Sequence, residues 1–206
     1  MSEDPRARVV SKRDLDPDPL RLFGAWYEEA RTAGAPLPEA VALATATPDG
    51  RPSARMVLLK DFGERGFSFY SGYESRKGRE LAANPQAALC FYWHDLGRQV
   101  RVDGAVELVP PEESNAYFAT RPYGARLSAA VSRQSEAVHS RDELEADVAE
   151  LRERCGAGEV PRPAHWGGYL VVPAEYEFWQ HREDRLHDRF RYRREGAAWV
   201  IDRLAP

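Results

Sequence analysis

Residues 41–60 read VALATATPDGRPSARMVLLK, and this stretch decides the fold. Val41 to Thr47 is small or β-branched, Asp49-Gly50 is a turn dipeptide, and Arg55-Met56-Val57-Leu58-Leu59-Lys60 returns as an apolar run with a cation at each end. The pattern is a β-hairpin whose centre anchors in a sheet while its charged ends project from the rim. Outward from it, Phe67 to Tyr70, Ala87 to Trp93, Gln99 to Val109, Gly168 to Val172, Glu177 to Gln180, Arg189 to Arg193 and Ala197 to Ile201 read as further strands. Glu195-Gly196 is the turn between the last two.

Helical spacing is confined to a few segments. Pro19 suits a first helical turn, and Leu20, Phe23, Trp26, Tyr27 and Ala30 share one face until Gly34, Pro36 and Pro38. Ser75 caps a predicted helix running to Ala83, and Glu112 to Thr120 is a helix ended by Arg121-Pro122. Ser140 and Glu143 have capping-box spacing ahead of Leu144, Val148 and Leu151. Residues 1–18 hold prolines and charges without a period and are expected to form a flexible arm, leaving 19–206 as a single domain. The strand–helix alternation and glycine fingerprint of a doubly wound sheet are absent. The expected class is mainly β with peripheral helices (α+β), a barrel or half-open sheet whose remaining apolar surface a dimer can cover.

Bulk properties exclude several functions. A chain of 206 residues with 43% hydrophobic and 30% charged residues is globular rather than disordered. Its net charge of -4 argues against a general affinity for nucleic acid, which needs a broad positive field. The lysines are Lys12, Lys60 and Lys77 alone, so arginine, with its planar fork, supplies nearly all the cations. Cys90 and Cys155 make no disulfide framework and lack partners at zinc spacing, so no metal is expected. No apolar leader or membrane span is legible, and the cytoplasm is the expected compartment.

Three constellations can carry chemistry. Ser75-Arg76-Lys77, just after Tyr70-Ser71, puts two cations and a hydroxyl at a helix start, the donor set a phosphate needs. The same triplet opens many ordinary solvated helices, and Arg55 and Lys60 strengthen it only where the fold brings their strand alongside. Gln134-Ser135, after Arg133, can hold a polar part of a ligand, or be simple loop polarity. Trp179 can cover a planar ring or pack in the core. Arg185 and His187 fall on one side of a strand at two-residue spacing, with Asp188 facing away to orient a neighbour. No hydrolytic triad or nucleophile elbow is apparent.

Taken in order, Arg55 to Lys60, Ser75-Arg76-Lys77, Arg98-Gln99-Val100, Trp166-Gly167-Gly168-Tyr169, Glu177-Phe178-Trp179-Gln180, Arg185-Leu186-His187-Asp188-Arg189-Phe190 and the closing Ile201 to Pro206 resemble the pyridoxamine/pyridoxine 5′-phosphate oxidase family over nearly all of residues 14–206. The resemblance implies a flavin mononucleotide (FMN)-binding split β-barrel and a homodimer whose two sites draw on both chains. It assigns FMN to Arg55, Met56, Val57, Leu58, Leu59, Lys60, Tyr70, Ser71, Arg76, Lys77, Gln99, Gln134, Ser135, Trp179 and Arg189, the last two reaching the cofactor held mainly by the other subunit. Arg55, Arg76 and Lys77 are the natural partners of its phosphate. It assigns the substrate phosphate to Lys60, Tyr117 and Arg121, and the pyridine side to Arg185, Leu186 and His187. The implied reaction passes a hydride from C4′ of a phosphorylated B6 vitamer to the flavin, giving pyridoxal 5′-phosphate, and dioxygen then accepts the electrons as hydrogen peroxide.

The chain departs from that pattern in places. Ala125 stands where a serine hydroxyl is usual, Arg126 is the neighbour able to compensate, and Leu127-Ser128-Ala129-Ala130 differs from the customary glycine and tryptophan. Ser2 and Pro5 replace an arginine and a tyrosine of an N-terminal covering motif. Arg121-Pro122-Tyr123 and residues 131–136 also resemble the related oxidases of phenazine biosynthesis, whereas Lys60 and Tyr117 favour the vitamer enzymes. A noncatalytic flavin- or heme-binding split barrel is a third reading, opposed by Arg185 and His187.

Overall fold

The computed structural model describes residues 9–156 and 158–206. Helix α1 (Pro19–Thr32) opens where Asp18 Oδ1 accepts the Leu20 N–H at 2.9 Å, with proline in its first turn. It buries Leu22, Phe23, Trp26 and Ala30 against the sheet. Phe23 is the hub, with the rings of Phe62, Phe67 and Phe91 edge-on at 4.9, 4.8 and 5.0 Å between centres. Truncating such a ring to alanine costs about 3–5 kcal/mol.

Nine strands among the described residues form one antiparallel sheet: β1 (Ala40–Ala46), β2 (Pro52–Leu58), β3 (Asp61–Gly63), β4 (Gly66–Gly72), β5 (Gln86–Trp93), β6 (Arg98–Leu108), β7 (Trp166–Gln180), β8 (Asp188–Glu195) and β9 (Ala198–Leu204). Their order is β2-β1-β5-β6-β7-β4-β3, with β8 on β7 and β9 on β8. The decisive hairpin is β1–β2, pairing Val41 with Val57 and Leu43 with Arg55. The sheet curls until the chain leaving β2 meets β4, where Lys60 N–H donates to Ser68 O at 2.9 Å. The result is a split half-barrel with helices at its periphery, the class the sequence predicts.

Strand β7 carries the split. Its first half lies between β6 and β4, and its second between β6 and β8. The change of neighbour falls at a bulge between Asp103 and Gly104, opposite Pro173. Proline has no N–H for a ladder, and a Cβ on Gly104 would lie 2.0 Å from Val172 O. The two strands expected over 168–172 and 177–180 are therefore one, because β6 pairs on both sides of the bulge.

Three helices, not two, separate β6 from β7: α3 (Pro111–Thr120), α4 (Tyr123–Val131) and α5 (Arg141–Cys155). Pro122 both follows α3 and caps α4, so a residue read as a stop is also a start. Strand β3, three residues long, is too short to show a period. Helix α2 (Arg76–Ala83) has the expected cap, with Ser75 Oγ accepting the Gly78 N–H. At α5, Ser140 Oγ accepts the Glu143 N–H, and the Glu143 carboxylate reaches one residue before the cap, to the His139 N–H. Phe118, Leu127, Val160 and Trp166 form a second, smaller core beneath these helices.

From Val9 to Asp18 the expected arm lies along the C-terminal strands. Val10 is buried, its N–H donates to Asp188 Oδ2, and Tyr192 Oη donates to Asp16 O. Ser2 and Pro5 lie outside the described residues. Among the described residues, no helix is long and apolar enough to cross a membrane.

Candidate active site

A cleft of about 960 Å³ opens between β2, the end of β4, the start of α2 and the α3–α4 corner. Its walls include Arg55, Met56, Val57, Leu58, Lys60, Tyr70, Ser71, Arg76, Lys77, Tyr117, Arg121, Gln134 and Ser135. Thirteen residues singled out in the sequence thus meet on one concavity, although they come from five separate segments. Leu59 does not line it; its side chain is turned into the core.

The floor is cationic. Lys77 is 6% exposed, and its Nζ donates to Ser71 Oγ (2.9 Å), Ser75 Oγ (3.1 Å) and Gln134 Oε1 (3.0 Å), all neutral acceptors. Burial, then the Arg55 charge, pulls its pKa down to about 8 against the opposing pull of Glu80. Arg55 is held inside the chain: Nη1 donates to Leu43 O (3.2 Å) and Thr45 Oγ1 (2.6 Å), and Nη2 to Ser53 Oγ and Glu80 Oε2. It therefore contributes charge rather than an open fork. Arg76 uses Nε on Glu80 Oε1 at 2.9 Å, and its outer nitrogens meet no protein partner among the described residues. Its backbone N–H donates to Ser135 Oγ at 3.1 Å.

One wall is aromatic. The Tyr70 and Tyr117 rings stack at 3.9 Å, and Trp166 lies parallel to Tyr70 at 5.5 Å. The Arg121 guanidinium sits 4.7 Å over Trp166 and 5.6 Å from Phe118. Its Nη1 is buried without a hydrogen-bond partner among the described residues, and burial pulls the guanidinium below its ordinary pKa. An unpaired buried cation of this kind is costly unless an anion meets it. Ala125, in the first turn of α4, offers no hydroxyl there. Arg126, the neighbour able to compensate, lies 5.7 Å over the Tyr123 ring and does not line the cleft.

The remaining candidates form a second group on the outer face of the sheet. Gln99, Trp179 and Arg189 stand opposite one another across β6, β7 and β8, and so point to the same side. Trp179 is not core; its ring lies 4.6 Å from His187, which is 5.4 Å from His181. Arg185 and His187 do not share a strand face as expected. Strand β8 begins only at Asp188, and Arg185 closes a 3₁₀ turn over Glu183–Arg185. Asp184 and Arg185 both take left-handed backbone, at φ 57° and 64°, which strains non-glycine residues and aims the exposed Arg185 and Leu186 outward. Asp188 orients its neighbours, accepting from Val10 N–H and from Arg203 at 3.0 Å. None of Gln99, Trp179, Arg185, Leu186, His187 and Arg189 lines the cleft of its own chain.

Sequence reasoning passed over Glu80, Ser53 and Trp166. A glutamate in a short helix looks like solvated surface, and only the fold brings Glu80 beneath Arg55. Trp166 stood in a quoted motif, but nothing local tied it to Arg121.

The chain matches the family model for pyridoxamine 5′-phosphate oxidase over residues 27–155, and that for the pyridoxine 5′-phosphate oxidase C-terminal dimerisation region over 166–206. It is 60% identical to the pyridoxine/pyridoxamine 5′-phosphate oxidase of Rubrobacter xylanophilus, across 96% of this chain and 91% of that one. The structure of PhzG from Burkholderia lata 383, in complex with tetrahydrophenazine-1-carboxylic acid, superposes with a TM-score of 0.91 at 34% identity, covering 98% and 100% of the two chains. A pyridoxamine 5′-phosphate oxidase-related, FMN-binding protein of Nostoc punctiforme shares the fold, with a TM-score of 0.72 at 18% identity over 93% and 100%. Two consecutive family models and a close relative matched almost end to end agree with the split barrel and its cationic cleft: the chain belongs to the pyridoxamine 5′-phosphate oxidase family.

Proposed function

We propose that this protein is an FMN-dependent oxidase that converts pyridoxamine 5′-phosphate or pyridoxine 5′-phosphate to pyridoxal 5′-phosphate, with dioxygen as the final acceptor. The observation that carries this reading is two sets of cations on one cleft whose charge the protein leaves open toward it: Lys77 meets only neutral acceptors, and among the described residues the outer nitrogens of Arg76 meet no partner and Arg121 Nη1 is buried unbonded. Arg76 and Lys77 form one, and Arg121 with Lys60 forms the other. A cofactor phosphate and a substrate phosphate need two such sets.

The residues fit FMN. Arg55, Arg76 and Lys77 against Glu80 leave two positive charges, which answers a phosphate of about −1.5 to −2. The cleft is at the upper end of the roughly 300–1,000 Å³ of ligand sites, roomier than one small pyridine needs. Arg76, Lys77, Ser71, Gln134 and Ser135 would hold the phosphate arm, and the β2 backbone from Arg55 to Lys60, with Tyr70, would flank the ring. When bound, FMN supplies a two-electron acceptor that dioxygen can regenerate.

The chain's own residues position the vitamer. Lys60, Tyr117 and Arg121 would grip its phosphate, with Trp166 backing the guanidinium. Gln99, Trp179, Arg185, Leu186, His187 and Arg189 would come from the partner subunit of a homodimer, since they face away from their own chain's cleft and lie on β6 or within the C-terminal region. Arg185 then clamps the pyridine face and His187 donates from Nε2. Holding the reacting carbon in place is the main service such a site performs.

The test is anaerobic bleaching of the yellow holoprotein by pyridoxamine phosphate, pyridoxine phosphate and a reduced phenazine precursor, compared side by side. Rapid bleaching by either vitamer is expected. Reaction with the phenazine precursor alone would transfer the protein to the chemistry of its 34%-identical neighbour.

A further inference from the structure

Glu80 is a buried carboxylate that the proposed reaction does not use. It is 5% exposed, yet it sits directly behind the cationic floor of the cleft. Its two oxygens divide their work. Oε1 takes the Nε–H of Arg76 at 2.9 Å, while Oε2 takes Thr45 Oγ1 and Ser53 Oγ at 2.5 Å each and Arg55 Nη2 at 3.2 Å. Thr45, on β1, also receives Arg55 Nη1 at 2.6 Å, so β1, β2 and α2 are tied at one point.

We propose that Glu80 is a positioning residue for the phosphate of the bound flavin, holding Arg55 inward and turning the outer nitrogens of Arg76 toward the cleft. The proposal rests on the FMN reading above. Gripping Arg76 by Nε fixes the guanidinium plane while leaving both outer nitrogens free to donate. Gripping Arg55 by Nη2 holds a second cation nearby without letting it fold over the phosphate position. Two arginines beside a buried lysine repel one another, and the carboxylate makes that grouping tolerable.

A carboxylate near an anion also repels it, so the sign of its effect must be decided. Among the described residues, three groups carry charge around Lys77: Arg55 from β2, and Arg76 and Glu80 from its own helix; Ser71 from β4 and Gln134 from the loop after α4 are neutral. Of the two that act on its titration, Arg55 favours loss of the ammonium proton and Glu80 retention. Removing Glu80 therefore frees Arg76 to swing and weakens Lys77 as a cation, two losses against one relieved repulsion. The positioning effect wins.

The test uses apoprotein titrated with FMN and with riboflavin, which lacks the phosphate, followed by quenching of flavin fluorescence. Wild type is expected to prefer FMN. In Glu80→Gln that preference falls about tenfold or more, the worth of a lost charge-assisted contact, while riboflavin affinity stays as in wild type. Thr45→Val, a shape-conserving change, moves the ratio the same way by a smaller factor and decides the matter should the glutamine variant not fold. The preference of Glu80→Gln is also expected to fade at lower pH than that of wild type, because Lys77 loses its supporting charge. A ratio unchanged or raised in the variants overturns the proposal, as does an equal loss for both flavins, which would mean a purely architectural role. Absence of any FMN preference in wild type sinks the flavin reading itself; a wild-type preference that survives in the variants sinks only the role of Glu80.

Discussion

His187 accepts the backbone N–H of Arg182 through Nδ1 at 3.1 Å. The bond leaves the neutral ring's proton on Nε2, the nitrogen available to a ligand. Burial, then His181, Arg185 and Arg189, holds the imidazolium pKa below its ordinary 6.5. His187 is therefore neutral at neutral pH, and the acid limb of kcat/KM is expected below pH 6.5. His187→Asn should remove that limb and lower kcat by about a hundredfold. A limb that persists in the variant belongs to another group.

Lys77 predicts an alkaline limit on cofactor binding. Its ammonium, with a pKa of about 8, is charged below that value and neutral above it. FMN affinity of the apoprotein is expected to fall as pH rises through 8, whereas riboflavin affinity stays level. Equal pH profiles for the two flavins would separate Lys77 from the phosphate.

Trp166 backs Arg121 at 4.7 Å. Trp166→Leu removes a desolvated cation–π contact of about 1–2 kcal/mol. KM for the phosphorylated substrate should rise about five- to thirtyfold with kcat nearly preserved, and Trp166→Phe should recover most of it. A fall in kcat at unchanged KM would place the ring elsewhere in the reaction.

Ala125 invites the reverse experiment. Ala125→Ser restores a hydroxyl in the first turn of α4, close to Arg121 in sequence. A new charge-assisted hydrogen bond is worth roughly 1.5–3 kcal/mol, so KM should drop about tenfold or more. An unchanged KM would mean that the phosphate lies beyond its reach.

The division of candidates between cleft and outer face predicts complementation. Lys77→Ala and Arg185→Ala are each expected to be nearly inactive alone. Co-refolded as a statistical mixture, they should regain about a quarter of wild-type activity, because each mixed dimer holds one intact site. No recovery would mean that both residues serve the same chain's site.

Much of this was legible in the sequence because strong local signals carried it. The β1–β2 hairpin announced itself through Asp49-Gly50, helix α1 through Phe23, Trp26 and Ala30 on one face, and α2 through Ser75. The cleft cations stood in short motifs. What stayed hidden depends on distant pairing. Glu80 matters only because β1 and β2 pass over it, and helix α4 was masked by a proline serving two helices. Arg185 and His187 read as neighbours on one strand face because two-residue spacing says nothing of the left-handed backbone at Asp184 and Arg185.

Trp166 and Trp179 open and nearly close the single strand β7. At about 3.3 Å per residue they stand up to roughly 40 Å apart, on a strand paired with β6 along most of its length and with β4 and then β8 on its other edge. On the shared-site reading proposed above, the dimension that governs turnover is the docking angle between two copies, and a substitution remote from every ligand that tilts this angle is expected to slow catalysis without disturbing either fold.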